Sequence, residues 1–215
     1  MTKTLSQIFT VRPMKMNDID DFAAWFENLD DLSLFDRNSP APMGLEALRE
    51  YWKADLAAAP PPQKAYWYIA RGPDGGAAAL GGLQTINYFH GDAVLPVFVA
   101  PSARQQGLGL RMTCLLLDLA FDRLHLTRVT TYFREDNEIS SRMIRKAAFR
   151  EEGRMREAWL CDGRRLDMVV AGVLREDWIK HREALRDGLD RKTVLKLNAD
   201  TSERYAWPSS ASAVH

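Results

Sequence analysis

The chain has 215 residues, is 46% hydrophobic and 27% charged, and carries 29 basic against 29 acidic side chains. That balance is ordinary for a folded globular protein and excludes both a disordered chain and a bulk electrostatic pull towards nucleic acid or anionic membrane. No apolar run approaches the ~20 residues that span a bilayer. The first ten residues hold no leader-like apolar core. Two cysteines, Cys114 and Cys161, make neither a disulfide framework nor a zinc cluster. The expectation is a reducing, cytoplasmic setting, with no metal, no membrane and no nucleic acid. The zero net charge hides an asymmetry: residues 1–60 hold six basic and ten acidic side chains, residues 101–215 hold 21 and 17.

Residues 9–13 are a short strand candidate. Asn17 is placed to cap a helix that buries Ile19, Phe22, Ala23 and Phe26 on one face. Residues 28–43, with Asp30, Asp31, Asp36 and two prolines, read as a loop. A second helix starts near Gly44, with Leu45, Leu48, Trp52 and Leu56 inward, and the A-A-A-P-P-P run at 57–62 breaks it. The pattern then becomes strand-like. Residues 65–71 and 77–88 flank the turn sequence G-P-D-G-G and read as a hairpin, and 93–99 is a further strand. Pro96 lacks a ladder donor, so that strand should be irregular or splayed there. A glycine-containing loop at 104–109 leads into an apolar helix over 108–124. Residues 128–133 alternate as a strand, 138–147 read as a helix, and 149–160 with 165–174 form a second hairpin about the turn at 161–163. A last helix begins near Glu176, and the tail after Asp200 reads as poorly ordered. The organisation expected is an α/β (α+β) domain over residues 1–180, then a helical extension and flexible tail over 181–215.

The informative stretch is strand, then Arg104-Gln-Gln-Gly107-Leu-Gly109, then helix. Such a loop brings backbone N–H groups to a helix N-terminus, where the dipole adds ~0.5 of a positive charge and favours an anion such as pyrophosphate. It is not a Walker loop, because no Gly-Lys-Ser/Thr follows. It is not a full dinucleotide fingerprint, because Met112 stands at the third glycine. Alone, the segment is equally a glycine turn.

Further motifs follow in order: Asn137-Glu-Ile-Ser140, then Lys146-Ala-Ala148-Phe149, then Glu152-Gly153, then the final hairpin from Asp162-Gly163 to Trp178. With R-x-x-G-x-G they resemble the GNAT superfamily of N-acetyltransferases over roughly residues 9–180. The similar branch contains ribosomal-protein alanine acetyltransferases and polyamine acetyltransferases. The resemblance implies a mixed, mostly antiparallel sheet of about seven strands, splayed at the cofactor site and covered by helices on both faces. It implies acetyl-CoA as co-substrate, held by Val97, Phe98 and Val99 and by Arg104, Gln105, Gln106, Gly107, Leu108, Gly109 and Leu110. It also implies direct attack of a neutral primary amine on the thioester, with a strand N–H on the oxyanion.

Three departures stand out. Gln105 and Ala148 replace glycines usual in the branch, and Ile144 stands where several relatives carry a tyrosine that protonates the thiolate. Ser140 matches the motif's serine and is the available hydroxyl, its other reading being a helix cap. Asn137 would orient the pantetheine arm, or is a turn residue. His90, Asp92 and Glu135, near strand ends, are candidate bases beside water. The loop carboxylates Glu27, Asp30, Asp31 and Asp36, free of helix-capping duty, would attract a cationic amine. The expected partner is therefore a small-molecule amine, such as a polyamine, or a peptide N-terminus, with a homodimer compatible. An amino-sugar acceptor and a non-catalytic acyl-CoA-binding sensor are the alternatives.

Overall fold

The computed structural model describes residues 6–56, 63–198 and 204–208. The proline run at 57–62 and most of the tail lie outside these residues. Strand β1 (Gln7–Pro13) leads into a 3-10 turn, the short helix α1 (Ile19–Phe22), a second 3-10 turn and α2 (Leu29–Phe35). Helix α3 (Leu45–Leu56) follows, then β2 (Tyr66–Arg71), β3 (Ala77–Asn87), β4 (Asp92–Val94) and β5 (Val97–Val99). Helix α4 (Leu108–Asp118) runs on into a π-helical turn before β6 (Arg128–Arg134) and α5 (Glu138–Lys146). The remainder is β7 (Arg150–Cys161), β8 (Arg164–Leu174), α6 (Arg175–Gly188), β9 (Thr193–Leu197) and β10 (Ala206–Trp207).

The strands form one mixed sheet in the order β10-β9-β1-β2-β3-β4-β6-β8-β7, with β5 also paired to β3. Only β1–β9 and β4–β6 are parallel among the described residues. Two cores flank it. Leu108, Met112 and Leu115 of α4, Ile144 of α5 and Trp178 of α6 pack on one face. Ile19, Phe22, Leu32, Leu48 and Trp52 cover the other face against Trp67, Ile69, Leu80 and Phe98. Alternation along β2 explains the division: Trp67 and Ile69 point to one core, Ala70 to the other. No helix among the described residues is long and apolar enough to cross a membrane.

The break expected at Pro96 is present: the strand read over 93–99 is two strands, parted at Leu95-Pro96. Two differences from the sequence reading have physical causes. Asn17 is not a cap: it lies inside a 3-10 turn, and Asp18 Oδ2 instead accepts the Lys15 N–H at 2.7 Å. The segment beyond 180 is not simply helical, since residue 180 falls inside α6 and β9 and β10 then join the sheet. T-V-L-K-L over 193–197 does alternate, but its partner is β1 at the far end of the chain, a pairing no local pattern announces. Tyr205, Ala206 and Trp207 are buried, where a loose tail was expected.

Two buried carboxylates tie these parts together. Asp18 accepts from Arg12 and Arg71. Burial pushes its carboxyl up, but the bonds from Arg12, Lys15 N–H and Arg71 outweigh that and bring its pKa down to about 2. Asp118, 1% exposed at the end of α4, accepts from Trp178 Nε1 (3.0 Å), Arg182 Nε (2.6 Å) and Trp207 Nε1 (2.9 Å). Helices α4 and α6 and strand β10 thus meet on one buried carboxylate.

Ala148, between α5 and β7, has φ +64°. A residue with a Cβ in that region costs ~1–2 kcal/mol. Ala148→Gly is therefore expected to stabilise the protein by about 1 kcal/mol, a rise of roughly 2–4 °C in melting temperature, readable by calorimetry.

Candidate active site

The site begins where two parallel strands part. β4 runs beside β6 through Ala93↔Val129 and Val94↔Thr130. The Leu95 N–H still reaches Thr130 O at 2.8 Å, but the Leu95 carbonyl accepts the Thr131 hydroxyl at 3.0 Å. The Pro96 carbonyl then turns to the Gly82 N–H at 3.1 Å, so β5 stays with β3 and leaves β6. Along β5 the backbone groups of Phe98 face β3, opposite Leu80, and those of Val97 and Val99 point the other way by alternation. A cavity of about 60 Å³ opens in the gap, lined by Leu95, Pro96, Val97, Tyr132, Ser140 and Ile144, with Leu34 and Phe35 of α2 also on its wall.

The loop after β5 is shaped by two left-handed residues, Gln105 (φ +63°) and Gly107 (φ +70°). The conformation explains why glycine would suit position 105. Gly107 caps α4 with no side-chain bond, which leaves the N–H groups of Leu108, Gly109 and Leu110 for an outside acceptor. A Cβ at Gly107 would come within 2.3 Å of Arg111 Nη1, so the residue beneath, as well as the φ, requires glycine. Gly109 lies against α5, where a Cβ would sit 3.0 Å from Met143 Sδ. Gln106 Oε1 is buried with no hydrogen-bond partner among the described residues. Arg104 faces away from the helix terminus. Its Nη2 bonds Asp31 Oδ1 at 2.5 Å, and its guanidinium lies 5.7 Å above the Phe98 ring. It therefore links the loop to α2.

Asn137 is the N-cap of α5: its Oδ1 accepts the Ser140 N–H at 3.0 Å. Ser140 is not the cap, and its hydroxyl has no partner among the described residues. Ser140 and Ile144 lie one turn apart and both line the cavity. The structure does not bring His90 or Glu135 there. His90 is exposed in the turn before β4, at the opposite end of that strand from Leu95. Glu135 lies past the end of β6, where Oε1 accepts the Asp167 N–H at 2.9 Å and Oε2 lies 3.6 Å from Arg154.

The four acceptor-side carboxylates also divide. Asp31 is buried and paired with Arg104; Asp36 accepts from Tyr51 OH (2.7 Å), Ser39 Oγ (2.7 Å) and the Asn38 N–H (2.9 Å). Burial and the Asp36 bond push Tyr51 up to about 12. The expectation that these carboxylates are free of helix-terminal duty fails for Asp31 and Asp36 and also for Asp30, which lies in the first turn of α2; Glu27 and Asp30 are exposed without a side-chain partner among the described residues. Sequence reasoning missed α2 itself, capped by Asn28 through the Asp31 N–H. Arg134 holds it through Ser33 Oγ at 2.9 Å, and Trp159 Nε1 through Ser33 O at 2.9 Å. The helix has only seven residues and its anchors are distant in sequence, so periodicity gave no signal.

A strand splay beside an uncapped helix N-terminus is the setting in which the comparisons fall. The acetyltransferase (GNAT) domain profile matches residues 9–150, more than half the chain. The chain belongs to the GNAT acetyltransferase family. Spermidine N(1)-acetyltransferase of Vibrio cholerae serotype O1 is 25% identical over 101 residues, which cover 47% of this chain and 58% of that relative. The chain thus matches little more than half the length of that relative. The fold is similar to crystalline spermidine N-acetyltransferase from Vibrio cholerae in complex with CoA and spermine. That match has a TM-score of 0.72 at 19% identity, over 80% of this chain and 98% of the other. A second structure, of spermidine/spermine N-acetyltransferase from Vibrio cholerae with manganese ions, has a TM-score of 0.66 at 18% identity, over 80% and 95%.

The capping geometry separates two neighbouring residues. Asn137→Ala should cost about 1 kcal/mol of stability. Ser140→Ala should leave the melting temperature almost unchanged, since it removes no bond within the protein; denaturant titration of both variants checks this.

Proposed function

We propose that the chain acetylates a primary amine of a small polycation, of the spermidine class, by direct attack in the splay between β5 and β6. The observation that carries this reading is the cavity at Pro96, where the Ser140 hydroxyl and the outward backbone of β5 meet beside α4. Acetyl-CoA supplies the acetyl thioester and departs as a thiolate. On this reading the N–H groups of Leu108, Gly109 and Leu110 hold the pyrophosphate, aided by the dipole of α4. The backbone groups of Val97 and Val99 hold the pantetheine arm and face the charge that develops on the carbonyl oxygen, a donor role typically worth ~3 kcal/mol. Asn137 sets the start of α5 and so aims Ser140, which donates to the departing sulfur. Water takes the amine proton, because Glu135 and His90 are held elsewhere.

The acceptor class is supported by the relatives named for spermidine and by Glu27 and Asp30, exposed at the end of the helices that wall the cleft. Coenzyme A release should be measured with acetyl-CoA and a panel of spermidine, glucosamine and a peptide with a free N-terminus. Spermidine should show the highest kcat/KM, and the value should fall with salt, since exposed charges are screened beyond ~8 Å at physiological ionic strength. A salt-indifferent preference for glucosamine would overturn the acceptor assignment. Stabilisation by CoA without turnover on any amine would favour the sensor reading, which Ile144 at the tyrosine position keeps open.

Two variants test the residue roles. Ser140→Ala should lower kcat about tenfold with CoA affinity within about twofold, as expected for a group acting late on the leaving thiolate. Gln105→Glu keeps the side-chain shape and adds a negative charge at the proposed anion site, so CoA should bind about tenfold more weakly, less so at high salt.

A further inference from the structure

Arg111 is 1% exposed, and its guanidinium sits directly beneath the loop that opens α4. Nη1 donates to the Gly107 carbonyl at 3.2 Å. The other donors leave the loop altogether. Nε donates to Thr193 O at 2.9 Å, and Nη2 to Asp190 O at 2.8 Å and Asp190 Oδ2 at 3.0 Å. Three main-chain carbonyls from two distant segments therefore fix the fork in direction, a task its planar array of donors suits and an ammonium does not. Thr193 opens β9, which lies wholly outside the 9–150 span of the family match.

We infer that Arg111 is a positioning residue for the pyrophosphate of acetyl-CoA, and that residues 190–193 hold it in place. The inference rests on the reading of residues 104–109 as the phosphate loop. With the Gly107 carbonyl drawn inward, the loop's backbone is fixed as it enters α4, and the free N–H groups of the first turn keep one direction. The guanidinium also sets a positive charge under the same turn. The Asp190 carboxylate that partners it is 58% exposed and weakened by solvent. The strand pairing β1–β9 thereby becomes part of cofactor binding: it places the Thr193 carbonyl, which places Arg111, which places Gly107.

The full-length chain should be compared with its Arg111→Gln, Arg111→Lys, Asp190→Ala and Trp207→Phe variants by CoA titration, melting and steady-state kinetics. Arg111→Gln should weaken CoA binding about 10- to 100-fold, the scale of a lost charge-assisted fork, with kcat at saturating substrates within about threefold. Arg111→Lys should fall between, and Asp190→Ala should weaken CoA about two- to fivefold. Trp207→Phe loosens the same C-terminal segment at Asp118, away from the loop, so it should lower the melting temperature and leave CoA affinity within about twofold. A folded Arg111→Gln protein with CoA affinity within about twofold of the parent, or an equal affinity loss in Trp207→Phe, would overturn the inference. If Arg111→Gln does not fold, unchanged CoA affinity in both Arg111→Lys and Asp190→Ala overturns it. Gln105→Glu separates the two levels. Should it weaken CoA while Arg111→Gln does not, only the role of Arg111 fails; should it leave CoA binding intact, the loop reading fails.

Discussion

Pro96 has no N–H to give, and the site is arranged around that fact. A strand that paired continuously with β3 on one side and β6 on the other would close the middle of the sheet. Here the ladder to β6 ends at Leu95, whose carbonyl is taken by the Thr131 hydroxyl, and Pro96 keeps only its carbonyl bond to Gly82. Beyond it the strand follows β3 alone. The cost is a short run of backbone without a second strand partner at Val97 and Val99, where Arg104 Nε takes the Val99 carbonyl at 3.4 Å. That run is what the fold offers to an extended ligand, since unpaired N–H and C=O groups at a sheet edge bind a chain laid beside them.

The acidic front read from composition proves mostly to be framework. Asp18 is clasped by Arg12 and Arg71, Asp20 by Arg49, Asp31 by Arg104, and Asp36 by Tyr51. These bonds hold the first three helices against the sheet and against the loop after β5. A charge count over 60 residues cannot tell a carboxylate that meets solvent from one that meets a guanidinium, because the arginines concerned lie up to 73 residues away in the chain. Among the described residues Glu27 and Asp30 have no side-chain partner at all, and Asp36 and Asp55 meet neutral donors but no cation.

What was legible follows the same division between local and distant causes. Hairpins with glycine-rich turns, the apolar α4 and the kink at Pro96 all announce themselves within a few residues, and they stand where expected. Gln105 and Ala148 were visible as departures from a glycine pattern, and their φ values of +63° and +64° give the reason glycine is usual there. The short helix α2, the strands β9 and β10 and the roles of Arg104 and Arg111 were not legible. Each depends on a partner brought close only by the finished sheet: Ser33 by Arg134, Thr193 by Gln7, Asp31 by Arg104. The cap at Asn137 is a local feature that was assigned to its neighbour. Asn and Ser at that spacing both suit the start of a helix, and only the position of the Ser140 N–H decides between them.

The replacement at Ile144 bears on how much help the leaving group needs. A thiol has a pKa of roughly 8.5, so a thiolate departs near neutral pH with little more than a hydrogen bond. A tyrosine with an ordinary pKa near 10 is a weaker acid than that thiol, and its benefit as a donor is modest. Ile144 gives up that donor and fills the cavity wall with an aliphatic side chain, 5% exposed and continuous with the core of α4. Ser140, one turn earlier on the same face, brings a hydroxyl to the cavity, as does Tyr132 of β6, and Asn137 takes the capping task at the start of α5. On the proposed reading the departure at Ile144 supplies an apolar wall beside the thioester, and the motif's Ser140, with Tyr132 of β6, brings the cavity its hydroxyls without a partner among the described residues. On this reading the amine, protonated if it is cationic, must lose its proton before it can attack.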